Sequence, residues 1–196
     1  MEWNVEFAPA NNEENERFLR ETLEAKSRAD RGQYGEAARI LWELLVQARH
    51  LRDPLWECMT MVHMGKVYRA LRWKIAVQLF EDAVDLADRI GLDTAKMIAL
   101  AELGELKCQW GQFKESLDLL ESAMGLLAAD DLQSRRFILL DMTIAYEGLN
   151  DLERCESLLN EVVEIDKKIG SDELPDDLDH LERIRAARAS NGSKNA

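Results

Sequence analysis

Three histidines, three cysteines and a surplus of carboxylates are the residues of this chain that could carry chemistry, and their spacing argues against most of it. His50, His63 and His180 are far apart. No His-x-x-x-His or His-Glu-x-x-His pair exists, so the spacing that puts two imidazoles on one metal is missing. Cys58, Cys108 and Cys155 are odd in number and widely separated, with no Cys-x-x-Cys pair, so neither a disulfide framework nor a zinc site is expected. A nucleophilic thiol needs a nearby base, and none is evident beside any of the three. No Gly-x-Gly-x-x-Gly or phosphate-cradling loop occurs. The paired acids Glu13-Glu14, Asp130-Asp131 and Asp176-Asp177 all fall where helices should begin, and capping accounts for them there. The expectation is a protein without catalysis, bound metal or cofactor, whose remaining chemistry is that of a binding surface.

The 196 residues are 46% hydrophobic and carry a net charge of −13, enough apolar content for one substantial core in one or two domains. The acidity disfavours nucleic acid and anionic membranes as partners, since phosphate contacts need a basic face. It modestly favours basic partners. No apolar run approaches the roughly 20 residues that span a bilayer. The first ten residues lack a basic start and an apolar stretch, so no secretory signal is read and a cytoplasmic location is expected. Residues 1–10 are expected to be flexible.

The elements that must position any surface announce themselves through a repeat. A short break, a large apolar residue and then a small residue recur at Gly32-Gln33-Tyr34 to Ala37, Leu71-Arg72-Trp73 to Ala76, Gly111-Gln112-Phe113 to Ser116, and Asn150-Asp151-Leu152 to Cys155. The large residue stands at 34, 73, 113 and 152, giving spacings of 39, 40 and 39. A fixed period of roughly 20–50 residues signals a solenoid of stacked units. Proline occurs only at 9, 54 and 175, so the interior is free to be helical.

Apolar residues at 3–4 spacing mark the second helix of each unit, in 36–51, 75–90, 115–128 and 152–169. The first helices precede the breaks. Asp53-Pro54, Asp93 and Asp130/Asp131 give their starts, and Gly91 and Gly170 are stops that accept a left-handed backbone. Ala25, Gly65, Gly104 and Thr143 are small residues where two helices should approach closely. In 175–190 Leu178, Leu181, Ile184 and Ala187 form one apolar stripe, with acids early and arginines late, which suits a terminal cap. Among the tryptophans, Trp73 stands at a turn and reads as core, while partial burial is expected for Trp42 and Trp56.

This pattern resembles the tetratricopeptide repeat (TPR), carried best by Leu103-Gly104, Trp110-Gly111-Gln112-Phe113 and Ser116. The resemblance covers roughly residues 13–170. It implies an all-α fold, a right-handed superhelical solenoid of four TPR-like hairpins at about 11–52, 53–92, 93–129 and 130–173. A capping helix at 174–190 and a disordered tail at 191–196 complete it. The period exceeds the usual 34 residues, as in the long-repeat variants of kinesin light chains, Pins-type polarity adaptors and bacterial peptide-sensing regulators, and each second helix should be one to two turns longer. The second unit departs from the motif by lacking the turn glycine.

In this family the first helices line a concave face that contacts ligand. Carried over, the resemblance implies a groove lined by Lys26, then by Met59, Val62, His63, Lys66 and Arg69. It continues with Ile98, Glu102, Glu105 and Gln109, and ends with Phe137, Leu140, Asp141, Ile144 and Glu147; Cys108 also falls on this face. The floor is apolar, the middle basic and the C-terminal half acidic, which suits a peptide or amphipathic helix with a basic half. No groove asparagine supports a clamp for a peptide carboxylate. The expected function is a protein-interaction module, an adaptor or regulator. The alternative is a dedicated chaperone for a secreted or aggregation-prone client.

Overall fold

The computed structural model describes residues 12–71 and 73–194. The flexible segment expected at 1–10, the Arg72 corner and the last two residues lie outside them, as does the Trp73 side chain. The described residues form nine helices and no strand. They are α1 (Asn12–Asp30), α2 (Tyr34–Leu51), α3 (Pro54–Leu71), α4 (Trp73–Ile90), α5 (Asp93–Gln109), α6 (Phe113–Met124), α7 (Leu132–Gly148), α8 (Leu152–Ile169) and α9 (Leu174–Lys194). None is long and apolar enough to cross a membrane. The chain divides after Ile90 into two compact units, α1–α4 and α5–α9.

Local chemistry sets the helix ends. Asp53 Oδ1 accepts from the Trp56 amide at 3.1 Å and Asp131 Oδ1 from the Ser134 amide at 3.0 Å, so each caps one of the donors a helix start leaves orphaned. Gly91 and Gly170 take φ of +66° and +68°, the left-handed conformation that ends α4 and α8. Asn150 does the same at φ +58° between α7 and α8.

The small residues Ala25 and Ala37, Gly65 and Ala76, Gly104 and Ser116, and Thr143 and Cys155 are all buried on the two helices of their hairpins, and at the last two pairs the helices touch. Ser116 Oγ donates to the Gly104 carbonyl at 2.7 Å, and the Cys155 thiol lies against the Thr143 carbonyl at 3.6 Å, the same contact one period later. A Cβ on Gly65 would stand 2.5 Å from the buried Phe80 ring, and one on Gly104 would stand 2.8 Å from Leu120 Cγ. Glycine is needed at both because the facing helix occupies that space. A second contact closes the mouth of three hairpins at equivalent places. Arg28 pairs with Glu36, Lys107 with Glu115 at 2.8 Å, and Arg154 lies over the Tyr146 ring at 5.0 Å.

Three expectations are corrected. α6 ends at Met124 instead of running long like α2, α4 and α8. After Gly125 the chain tightens through Leu126 N–Ala123 O and Leu127 N–Met124 O bonds, which are i→i−3 bonds that close a helix. α9 continues through Lys194, four residues into the expected tail, with no proline to stop its ladder. Trp56 and Trp42 are not both half-buried. Trp56 is buried, stacked on Phe18 with ring centroids 4.6 Å apart and bonded through Nε1 to Asn15, whereas Trp42 is 55% exposed.

Candidate functional site

Counting outward from the crossing residues Ala25, Gly65, Gly104 and Thr143 gives each first helix the same set of positions. One such position is Lys26, Lys66, Glu105 and Ile144. Another is Leu23, His63, Glu102 and Asp141. A third is Ala29, Arg69, Cys108 and Glu147. The expected groove residues fall at these and at neighbouring positions of the first helices. Their surroundings differ sharply from hairpin to hairpin.

On α3 and α5 much of the expected groove is interior. Met59, Val62, Ile98 and Glu102 are buried, and so is Cys108. These helices are buried on nearly every side, so side chains assigned to a ligand surface pack within the protein instead. Lys66, Arg69, His63 and Glu105 are half-buried, and Gln109 is exposed with its Nε2 donating to Glu105 Oε1 at 3.0 Å.

In the first unit α1 and α3 bring cations together. His63 sits within the influence of both Lys66 and Lys26. Burial first, and those two ammonium groups second, push its pKa down to about 4, so the ring is neutral at pH 7. In the second unit α5 and α7 gather carboxylates. Asp141 and Glu105 bear on Cys108, whose thiol pKa is raised by burial and then by Asp141. Cys58 and Cys155 are pushed up to about 11, chiefly by burial. All three cysteines are buried free thiols whose environments favour the unreactive protonated form. Among the described residues no cluster of three or more His, Cys, Asp or Glu has the arrangement to hold a metal ion.

Apart from the exposed Lys26 on α1 and Gln109 on α5, the expected surface is most open on α7. Phe137, Leu140 and Asp141 are half-buried, Ile144 is 51% exposed, and Glu147 is exposed. Beside them stands α9, which the expected groove omitted. Its exposed Asp176, Asp179 and Arg183 and half-buried His180 occupy the register that Phe137, Leu140, Asp141 and Ile144 hold one period earlier. His180 Nε2 pairs with Glu147 Oε1, so α9 meets the C-terminal end of α7 on this face. Glu147 is thus engaged with the chain's own last helix.

A buried ionic cluster holds α9 there. The Arg136 side chain, 1% exposed, bonds Asp166 on α8 and Asp177 on α9, and reaches Glu173 at 2.6 Å. It stands at the position filled by the buried Phe18, Cys58 and Met97 in the preceding hairpins. An arginine in an apolar register position is the signal in the sequence that marks this residue, and reading the repeat only for its apolar members hid it. Asp166 Oδ2 is buried without a partner. The proton affinity of the neighbouring Asp177 carboxyl is raised by burial and then by Asp166. Outside this core, Glu156 on α8 receives Arg185 at 3.0 Å and Arg188 at 2.8 Å from α9.

No protein-family model matches the sequence, and no curated protein matches it either. Solved structures do resemble its fold. A putative kinesin light chain of Podosopora anserina with nearly identical TPR-like repeats is 21% identical, over 90% of this chain and 89% of that one, with a TM-score of 0.70. BtubC (BKLC) from P. vanneervenii is 18% identical over 84% and 78% of the two chains, with a TM-score of 0.64. A Rap protein complexed with competence and sporulation factor is 18% identical over 89% of this chain and 54% of that one, with a TM-score of 0.58. The likeness establishes the fold as all-α and built of TPR-like helical hairpins.

Proposed function

We propose that this protein is a non-catalytic protein-interaction module. In the second unit the open face of α7 receives an amphipathic segment that is apolar on one side and basic on the other. The observation that carries the proposal is the stripe Phe137, Leu140 and Ile144. The equivalent Ile98 and Ala101 on α5 are buried, whereas this stripe stays partly open beside Asp141 and the α9 acids Asp176 and Asp179. Apolar anchors supply most of the affinity of such a face, and the acids select for cations and orient them. In the first unit, the cations Lys26, Lys66 and Arg69 around neutral His63 suit acidic residues instead. That a Rap protein of this fold forms a complex with competence and sporulation factor supports the general reading of the fold as a binding scaffold.

The test is selection of a random displayed-peptide library on the purified protein, followed by titration of the enriched peptides. Peptides with Lys or Arg interleaved with large apolar residues should dominate. Phe137→Ala should weaken them by about 1–2 kcal/mol if the ring is an anchor. Reversal of Lys66 and Arg69 to glutamate should leave those peptides unaffected. If the enriched peptides bind a Phe137→Ala/Ile144→Asp variant as they bind the parent, the α7 face is not the site. A single client that co-purifies in equal amount and precipitates without this protein would favour a dedicated chaperone.

A further inference from the structure

The outer edge of α1 differs from the same edge of the later first helices. The positions that are buried as Trp56, Thr60 and Met64 on α3 are Glu16, Arg20 and Glu24 on α1, all exposed. Next to this charged row stand Leu19 and Leu23, 42% and 63% exposed and one helical turn apart. The five residues together line an open depression of about 490 Å³. Arg20 forms no ion pair among the described residues, although it lies between two glutamates.

We propose that this edge of α1 binds the same edge of a second copy of this chain, antiparallel, about a two-fold axis perpendicular to both helices. Such an axis sets the charged row of one copy against the charged row of the other. In the register that puts Arg20 level with Glu24 of the second copy, Glu24 faces that copy's Arg20, so both symmetry-related pairs form at once, each Glu24 bridging that arginine and its own Arg28, which it already holds at 2.7 Å. At 1.5 Å rise per residue, Leu23 then falls about 3 Å along the axis from both Leu19 and Leu23 of the second copy, a knob between two side chains. Moving the register one turn so that Arg20 meets Arg20 and Glu16 meets Glu24 places like charges together and is excluded; a further turn pairs Arg20 with Glu16 but carries Leu23 about 9 Å past Leu19 of the second copy, so charges and leucines together choose the alignment. An apolar edge would accept any apolar hairpin end and lead to open chains of molecules. The charged row permits the closed two-fold pair instead. Two leucines and a short charged border cover well under the roughly 800 Å² per partner of a stable interface, so the dimer is weak and forms at about tens to hundreds of micromolar.

Sedimentation velocity on the full chain from about 5 μM to 1 mM reads this directly. The parent should shift from monomer to dimer with concentration, and Leu23→Glu should abolish the shift. Arg20→Glu and Glu24→Arg should each weaken association at least about fivefold, because each change acts twice in a two-fold interface. Arg20→Glu/Glu24→Arg together should restore association to near the parent value, with circular dichroism confirming that all variants fold. A monomer at every concentration overturns the proposal. So does a dimer indifferent to Leu23→Glu, or a charge-swapped double variant no better than the single ones. Dimerisation that appears only after removal of residues 1–11 would mean that the chain's own N-terminal residues occupy this edge, and overturns it as well.

Discussion

At the scale of single residues, His63 and Arg136 are two ionisable positions whose charge is set by their surroundings. His63 is neutral when folded because burial, Lys66 and Lys26 all oppose its charge, holding its pKa at about 4 against an ordinary 6.5. The unfolded chain therefore binds the extra proton between those values. The resulting stability is fully present above pH 6.5 and is lost as pH falls toward 4. At pH 5 the loss amounts to about 2 kcal/mol. Denaturant unfolding of His63→Gln and parent at pH 7 and pH 5 checks this, because the variant should lose less stability between the two. Arg136 works in the opposite sense, as a buried cation that three acids compensate. Arg136→Met should cost about 3–5 kcal/mol, since it leaves Asp166 charged in the interior with no partner. Asp177→Asn keeps an acceptor for Arg136 and removes a like charge beside Asp166. Because the folded state raises the proton affinity of Asp177, its ionisation opposes folding as pH rises above the ordinary carboxylate range. Asp177→Asn should therefore be close to neutral at pH 7 in a thermal melt, and a loss as large as that of Arg136→Met would contradict this account of the cluster.

At the scale of elements, the hairpin crossings determine how closely helices pack. Gly65 and Gly104 are both glycines in helix interiors, where alanine would ordinarily gain up to about 1 kcal/mol. Phe80 and Leu120 are fully buried at these crossings and have no room to yield. Gly104→Leu should overpack its crossing and cost roughly 1–3 kcal/mol. Gly65→Ala should also destabilise, reversing the helix-propensity gain. Gly148 makes a comparable approach to Phe113, but that ring is only half-buried and lies at the start of α6, where it can turn outward. Gly148→Ala should then be the mildest of the three. Melting temperatures in that order are the expected outcome, and a Gly104→Leu protein that melts like the parent would mean the crossing had been misplaced.

At the scale of the whole molecule, the division after Ile90 into two compact units and the docking of α9 predict how stability is distributed. α9 buries Leu181 and Ile184 and supplies Asp177 and Glu173 to Arg136. Deleting residues 174–196 should expose the α8 surface beneath and leave Arg136 and Asp166 partly uncompensated. In helical repeats stability couples mainly between neighbours. Amide exchange should therefore quicken through α7 and α8 by more than tenfold, while α1 to α4 keep their protection. Uniform loss of protection across both units would show that the chain unfolds as one block.

The period of 39, 40 and 39 residues, the apolar stripes and the cap and stop residues are local properties of the chain, so the helices, their pairing and the small crossing residues were legible without coordinates. So was the segregation of charge, with Lys26 and Lys66 early and Glu105 late at one repeated position, and Arg69 early and Glu147 late at another. What could not be read was which members of that register face open space. Met59, Val62, Ile98 and Glu102 hold the repeat positions of Phe137, Leu140 and Asp141 and have a different fate, because burial depends on how closely separate elements approach, which no one helix encodes. Arg136 shows the same limit from the other side. Its sequence neighbours read as an ordinary amphipathic helix, and only the convergence of Asp166, Glu173 and Asp177 from α8, the loop after it and α9 makes a buried arginine tenable. Local periodicity settled the secondary structure because backbone hydrogen bonding is satisfied within each helix. The partly open face of α7 and the fastening of α9 were decided by tertiary packing, where desolvation and long-range ion pairing are determined.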